Sequence, residues 1–331
     1  METQKQSPIG EGQSKMFPVN GALIIDKPAG ITSHDVVALV RKIIGERRIG
    51  HTGTLDPFAT GVLVLLLGRA TRLAQFLSGA EKEYEAVIHL GYATETGDAT
   101  GNRVTHFTTD APRNTEFHRE EIEAAMASLR GEIEQIPPMY SAKKIAGKKL
   151  YELARRGEQI ERAAVRVNIK TFDSLPERDG FLPQNQDDTH DLHVRIVCSA
   201  GTYVRTLAED LGERLGVGAH LADLRRTRAG EFCITKAITL EQLDALVTSD
   251  SIEDMLIPPD AALSHLPAIE LNADEATRAL HGVDVPTDPA TPSDWVPNQP
   301  VRMRNAEGEL MAVGVYDSQR KLLHPAVVLV S

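Results

Sequence analysis

The feature that most constrains this chain is a change of character at residue 61. Residues Arg47 to Gly61, RRIGHTGTLDPFATG, hold three glycines, a proline and three threonines, the composition of an ordered loop rather than of a helix or strand. The chain then runs without a polar interruption through Val62 to Leu67. Six aliphatic residues with no alternation predict a continuous buried strand. The run is far short of the roughly 20 residues needed to cross a bilayer, so no membrane segment is expected. A loop anchored between buried elements is a common place for catalytic groups.

The elements around it are legible from their periods. Ala22 to Ile25 predicts a short strand stopped by Pro28 and Gly30. A helix follows, with Ser33 as N-cap, Asp35 in the first turn and an apolar stripe of Val36, Val37, Leu39, Val40, Ile43 and Ile44 ending at Gly45. Strict alternation in EKEYEAVIHLG puts Tyr84, Ala86, Ile88 and Leu90 on one face of a strand, with Glu83, Glu85 and His89 on the other. Glu120 to Arg130 and Leu240 to Val247 have helical spacing, as does a segment carrying Leu207, Leu211 and Leu215 that Thr202 is expected to cap. Further strands are expected over Val165 to Phe172 and Leu192 to Cys198, separated by a polar surface insertion, and a basic loop with a short helix precedes them. VRMRNAEGELMAVGVYD predicts a hairpin around Glu307 and Gly308. The expected organisation is a disordered polar tail over 1–16, one domain over 17–250 and a second over 251–331.

Charge bears on the partner. The chain of 331 residues has a formal net charge of -11, which on its face argues against a polyanion. The charge is unevenly placed. Arg41 to Arg72 carries six basic and two acidic residues, and Lys143 to Arg166 eight and three, so these windows are +4 and +5. Glu241 to Val285 carries ten acidic residues against Arg278 alone, a net -9 that supplies most of the imbalance. Local basic surfaces can therefore coexist with an acidic total. Cys198 and Cys233 stand apart from each other and from any paired histidine, which suggests neither a disulfide framework nor a zinc site and fits a reducing cytoplasm.

Phosphate-binding and dinucleotide-binding glycine motifs, HExxH, the serine elbow and CxxC are all absent from the sequence. What remains is Gly50-His51-Thr52-Gly53-Thr54-Leu55-Asp56-Pro57. Asp56, between an apolar residue and a rigid proline, reads either as ordinary turn chemistry or as a catalytic carboxylate. Taken singly, Arg205 reads as a surface helix arginine, Tyr84 as core and Leu224 as plain helix packing.

GHTGTLDPFATGVL, residues 50 to 63, resembles the catalytic loop of the bacterial tRNA pseudouridine-55 synthases, the TruB family. Supporting matches follow in order: Lys27-Pro28, KEYEAVIHLG, TGDATG, PPMYSAKK, CSAGTYVRTLAEDLG and GAHLADLRRTRAG, covering roughly residues 20 to 248. The resemblance implies an α/β (α+β) pseudouridine-synthase fold, with a mixed and largely antiparallel sheet and a small C-terminal PUA-like β-barrel. It implies isomerisation of uridine at position 55 in the TΨC loop of tRNA, with the target base flipped out, no cofactor, no metal, no guide RNA and a monomeric protein. A secondary role in tRNA folding is also implied. Asp56 would be the catalytic carboxylate, Arg205 its ion-pair partner and Tyr84 the residue stacked on the target base. Leu224 and Tyr203 would contact the substrate, and His51 would fill the space the flipped base leaves. Lys27 and Pro28 would support the tyrosine region. Lys143, Lys144, Lys148 and Lys149 would form a phosphate-contacting arm, with Tyr140 and Tyr151 as packing anchors.

Overall fold

The computed structural model describes residues 19–104, 117–141, 144–145, 148–149, 160–175, 182–183, 185, 189–249, 251–287 and 294–329. The expected tail over 1–16, most of the insertion, the helix after the basic loop, Lys143 and Tyr151 lie outside them. Nine strands form one mixed sheet: β1 (Gly21–Lys27), β2 (Ile49–His51), β3 (Thr60–Leu67), β4 (Lys82–Leu90), β5 (Gly131–Gln135), β8 (Val165–Ser174), β9 (His190–Cys198), β10 (Ala219–Ala229) and β11 (Phe232–Cys233). Between β5 and β8, β6 (Lys144–Ile145) and β7 (Lys148–Lys149) pair as a separate two-stranded ribbon. The order across the main sheet is β1-β3-β10-β4-β9-β8-β5, with β2 on β3 and β11 on β10. Every pairing in it is antiparallel except β10 with β3.

That parallel contact decides where the site lies. On one edge β3 pairs with β1 from Gly61 to Leu67. Its other edge is shared: β10 meets it at Thr60 and Gly61, while β2 takes Leu65 to Leu67. The chain between β2 and β3, residues 52–59, therefore leaves the sheet where the edge of β3 passes from one neighbour to the other.

The unbroken apolar run is explained by burial on both faces. Leu23, Ile25, Leu63, Leu65 and Leu67 pack under the helices Ser33–Ile44 and Leu240–Thr248. Ala22, Ile24, Val62, Val64 and Leu66 face the other way, against Leu310, Val313, Val327 and Leu329 of the C-terminal part. A third core joins Tyr84, Ala86, Ile88 and Leu90 to the helices Arg119–Ala127 and Val204–Arg214.

The C-terminal part is a curled five-stranded sheet, β12 (Ala268–Glu270), β13 (Val285–Pro286), β14 (Pro300–Arg304), β15 (Leu310–Asp317) and β16 (Leu322–Val328), in the order β12-β14-β15-β16-β13, PUA-like in character. The expected hairpin is β14–β15. This sheet has its own small core around Leu271, Val285, Val301, Met303 and Leu323.

Several local expectations are corrected. The first helix is capped by Thr32, not Ser33: the Thr32 side chain accepts from Asp35 N while Asp35 reaches back to Thr32, a reciprocal capping box. Thr202 does not cap the helix Val204–Arg214; its hydroxyl donates to Ser199 O, and Tyr203 occupies the cap position without a side-chain capping bond. Leu224 is on a strand, β10, and not on a helix. Part of the expected loop is strand as well, since Ile49 to His51 form β2.

Candidate active site

Asp56 is displayed by clamping the residues on either side of it. The Ser33 hydroxyl, freed from capping, accepts from Leu55 N at 2.9 Å and donates to Leu55 O at 3.1 Å, so it grips that residue as a neighbouring strand would. On the other side, Pro57 O accepts from Gly30 N at 2.8 Å and from Lys27 Nζ at 3.1 Å. Lys27 is fully buried, and its ammonium also donates to Pro28 O and Ile31 O. Its hydrogen bonds thus brace the aspartate loop, where support of the tyrosine region was expected. With both flanks fixed, the carboxylate projects from a loop that has little freedom to move.

Arg205 completes the pair. Its Nε lies 2.9 Å from Asp56 Oδ2 and its Nη2 donates to Asp56 Oδ1 at 3.2 Å, a forked contact that fixes the carboxylate plane. The arginine is 4% exposed rather than on the surface. Its remaining donors reach Thr96 O and Tyr140 O, and Asp98 Oδ2 stands 3.7 Å away. Asp98 is itself held by Thr96 Oγ1 and by the Thr100 amide and hydroxyl. Burial pushes the Asp56 carboxyl above its ordinary value; Arg205 opposes this and Asp98 adds to it. One arginine stands between two carboxylates, so the trio carries a net negative charge, and the forked contact takes the Asp56 edge that faces Arg205.

A cavity of about 280 Å³ opens in front of the pair. Its walls include Tyr84 from β4, Leu224 from β10 and Tyr203 at the head of the helix that carries Arg205. Tyr203 is positioned through its backbone: Gln135 Oε1 accepts from Tyr203 N and Gln135 Nε2 donates to Tyr203 O. Tyr84 and Leu224 are both largely buried, and burial raises the Tyr84 phenol above its usual range, with Arg226 opposing.

Arg226 is the residue that reading the sequence missed. It is 2% exposed, and its Nε donates to Val62 O at 2.7 Å. That carbonyl falls in the gap on the β3 edge between β10 and β2, so the guanidinium supplies a hydrogen bond that neither strand provides. Its other nitrogens hold Gly53 O and Thr54 O. The arginine thereby ties the aspartate loop to the sheet at the point where the loop leaves it. Asp98 was within reach of sequence reading, because TGDATG is a recognisable motif; Arg226 carries no signal beyond its place in LRRTRAG.

The remaining expected residues are placed as follows. His51 lies at the end of β2 beside His34, ring centroids 5.5 Å apart, outside the cavity wall. Its Nδ1 is buried without a partner among the described residues, and burial lowers its pKa. Lys144 and Lys149 face each other in the β6–β7 ribbon, and Lys148 pairs with Ile145. Tyr140 precedes that ribbon and is 39% exposed, with its carbonyl on Arg205. Among the described residues no three His, Cys, Asp or Glu side chains converge as a metal site, and no helix is long and apolar enough to cross a membrane.

Comparison with known proteins gives the family. The N-terminal domain of the TruB family of pseudouridylate synthases matches residues 41–204, and the tRNA pseudouridylate synthase B C-terminal domain matches 205–264. The chain belongs to the TruB family. It is 42% identical to a tRNA pseudouridine synthase B of Ralstonia nicotianae over 97% of its own length and 98% of that protein. It is 47% identical to one from Geobacillus thermodenitrificans over 80% of this chain and 85% of the relative. Among solved structures, an H/ACA RNP bound to a substrate RNA containing 2'-deoxyuridine superposes with a TM-score of 0.68 at 26% identity, covering 94% of this chain and 85% of the other. A Cbf5-Nop10-Gar1 complex gives 0.68 at 30%, covering 94% and 84%. This TruB chain is thus a pseudouridine synthase, an isomerase, with the mixed α/β fold of those structures.

Proposed function

We propose that this synthase isomerises uridine 55 in the TΨC loop of tRNA, acting directly on the RNA as a cytoplasmic monomer without a guide, with Asp56 as the catalytic carboxylate. The observation that carries the reading is the forked Asp56–Arg205 pair at the wall of a cavity shared with Tyr84 and Leu224. Isomerisation breaks C1′–N1 and makes C1′–C5, with no net gain of atoms. A carboxylate suffices: it either attacks C1′ or takes the proton from C2′ to form a glycal, much as a retaining glycosidase presents a carboxylate to an anomeric carbon. Arg205 keeps Asp56 aimed. Tyr84 and Leu224 sandwich a flipped base, and Tyr203 closes the pocket beside Arg205.

His51, by its place at the start of the loop, enters the gap left in the RNA when the base flips. Lys27 and Pro28 hold the loop. The β6–β7 ribbon with Lys144, Lys148 and Lys149, together with Lys143, contacts phosphates of the T arm. Residues 17–250 act as the catalytic domain and 251–331 as the PUA-like one, a division supported by the separate core of the second sheet. A base-flipping grip of this kind also supports a role in tRNA folding apart from chemistry.

The test is to incubate the protein with unmodified tRNA transcript, without guide RNA, and map pseudouridine by position. Pseudouridine at 55 from the unaltered protein, and none from Asp56→Asn with binding kept within about tenfold, is the expected result. Turnover by Asp56→Asn would refute the assignment of the carboxylate.

A further inference from the structure

Three cations are buried around the catalytic loop: Lys27, Lys82 and Arg226, at 0%, 7% and 2% exposure. Among the described residues none of the three makes an ion pair; the only ion pairs at the site join Arg205 to Asp56 and Asp98. Counting Arg205, four positive groups face Asp56 and Asp98, with Glu209, its carboxyl pushed up to about 7 by burial, also near Arg205; a buried charge without a counterion is costly. Lys27 has a structural explanation, since all three of its donors are spent on loop carbonyls, and Arg226 commits three of its five donors to the carbonyls of Val62, Gly53 and Thr54. Lys82 is different. It lies on β4 two residues before Tyr84, so both side chains leave the same face of the strand, and both line the cavity with Asp56. Its ammonium donates to Ser78 O and Ala80 O, which leaves one of its three N–H bonds uncommitted. Across the β4–β10 pairing, Arg226 stands opposite Tyr84.

We propose that Lys82, backed by Arg226, is a further catalytic group that stabilises the negative charge on the uracil ring after it separates from the ribose. This rests on the reaction proposed above. When C1′–N1 breaks, its electron pair stays on N1 and spreads to O2 and O4, so the ring carries one full negative charge; C1′ is meanwhile bonded to Asp56 or held as a glycal. The ring then uses its electron pair to form C1′–C5 as the C1′–O bond to Asp56 breaks or, on the glycal route, as Asp56 returns its proton to C2′. C5 then gives up its proton and N1 gains one, so the product ring is neutral. Between cleavage of C1′–N1 and formation of C1′–C5 the ring is an anion in a pocket walled by Tyr84 and Leu224, and Asp56 offers nothing to an anion. A fixed ammonium in that pocket acts where the charge develops. Burial, with Arg226 adding to it, lowers the Lys82 ammonium to about 8, so it remains protonated at neutral pH. A phosphate of the RNA backbone would also attract a lysine, but phosphates stay at the hydrated mouth of such a pocket, whereas Lys82 lies within it.

The experiment compares single-turnover rates of glycosidic cleavage on tRNA transcripts carrying uridine or 5-fluorouridine at the target. Fluorine withdraws electrons and already steadies the detached ring. Lys82→Gln keeps donors for the Ser78 and Ala80 carbonyls but has no charge; Lys82→Arg keeps the charge. Lys82→Gln should slow cleavage of the uridine RNA by roughly 10- to 100-fold, with RNA affinity unchanged and a smaller loss on 5-fluorouridine, and Lys82→Arg should restore most of the rate. Equal losses on both RNAs would overturn the proposal in favour of a structural role. Weakened binding at an unchanged rate would overturn it in favour of a phosphate contact. If the unaltered protein forms no pseudouridine, it is the proposed reaction that fails.

Discussion

Replacing Gly61 by alanine should part the two strands that hold the site together. Gly61 has φ +96°, and a Cβ built there would lie 2.2 Å from Arg226 O, 2.9 Å from Arg226 N and 3.0 Å from Arg226 C. Even a close carbon–oxygen contact needs about 3.3 Å, so β3 and β10 must separate by about 1 Å where only two residue pairs join them. The obstruction is backbone, which no rotamer change relieves. The left-handed conformation costs an alanine about 1–3 kcal/mol, and overpacking adds about 1–3 kcal/mol, giving a loss near 4 kcal/mol out of a total stability of about 5–15. The same displacement pulls Arg226 away from Val62, Gly53 and Thr54. A misplacement of about 1 Å in a catalytic constellation costs roughly 100-fold in rate. Urea unfolding gives the first quantity, and turnover measured well below the midpoint gives the second, separated from loss of fold. A variant that loses less than about 1 kcal/mol and keeps full activity would refute the reading of the β3–β10 contact as a positioning device.

Asp98→Asn removes the second charge facing Arg205 and should cost about 1.5–3 kcal/mol of transition-state stabilisation, roughly 10- to 100-fold in kcat, with RNA affinity kept; an unchanged kcat would show that Asp56 alone orients the arginine. The pH profile follows from the same neighbours. Asp56 acts ionised and its carboxyl is raised by burial, so activity should fall on acidification through a midpoint above that of an ordinary aspartate. In Asp98→Asn, with one neighbouring negative charge gone, that midpoint should move down; an upward move contradicts the charge assignment. Lys27→Met strands the carbonyls of Pro28, Ile31 and Pro57 and should lower unfolding free energy by about 1–3 kcal/mol, read by urea titration. Converting Lys143, Lys144, Lys148 and Lys149 to alanine should flatten the log-log salt dependence of tRNA binding by roughly 0.7 to 0.9 for each phosphate that the arm no longer neutralises. Parallel salt lines from equally folded proteins would take the ribbon out of the interface.

Most of the sheet was legible because its strands obey simple periods. The alternation in KEYEAVIHL placed Tyr84 correctly, and an apolar run without alternation marked β3 as buried on both faces. Leu224 was misread for a physical reason: the β10 ladder shifts register between Leu221 and Asp223 and again between Arg226 and Arg228. The shifts space the buried residues Leu221, Leu224, Arg226 and Ala229 by three, two and three, which imitates a helix. Ser33 looked like a cap because Ser and Thr both fit that role; Thr32 takes it, and Ser33 serves a loop 22 residues away. Arg226 was invisible because its partners are backbone carbonyls 164 to 173 positions distant, and no side chain in the sequence marks a carbonyl that needs a donor. The aspartate loop itself stood out because three glycines and a proline within fifteen residues disfavour a helix or a long strand, although Gly50 and Gly61 turn out to lie in β2 and β3.

The core shared by β1, β3 and the C-terminal sheet also has a history in time. Strands β1 and β3 are complete once residue 67 has been made, but the side chains that cover one of their faces include Leu310, Val313, Val327 and Leu329. A ribosome adding about 5–20 residues per second needs roughly 13 to 52 s to close that interval. During it the face formed by Ala22, Ile24, Val62, Val64 and Leu66 is without that cover, beside an edge of β1 where Ala22 will later exchange hydrogen bonds with Ile257. The nascent chain thus spends most of its synthesis displaying the kind of greasy strand pair that chaperones hold. The sheet that carries the aspartate loop is finished only when the distal sheet arrives to shut it.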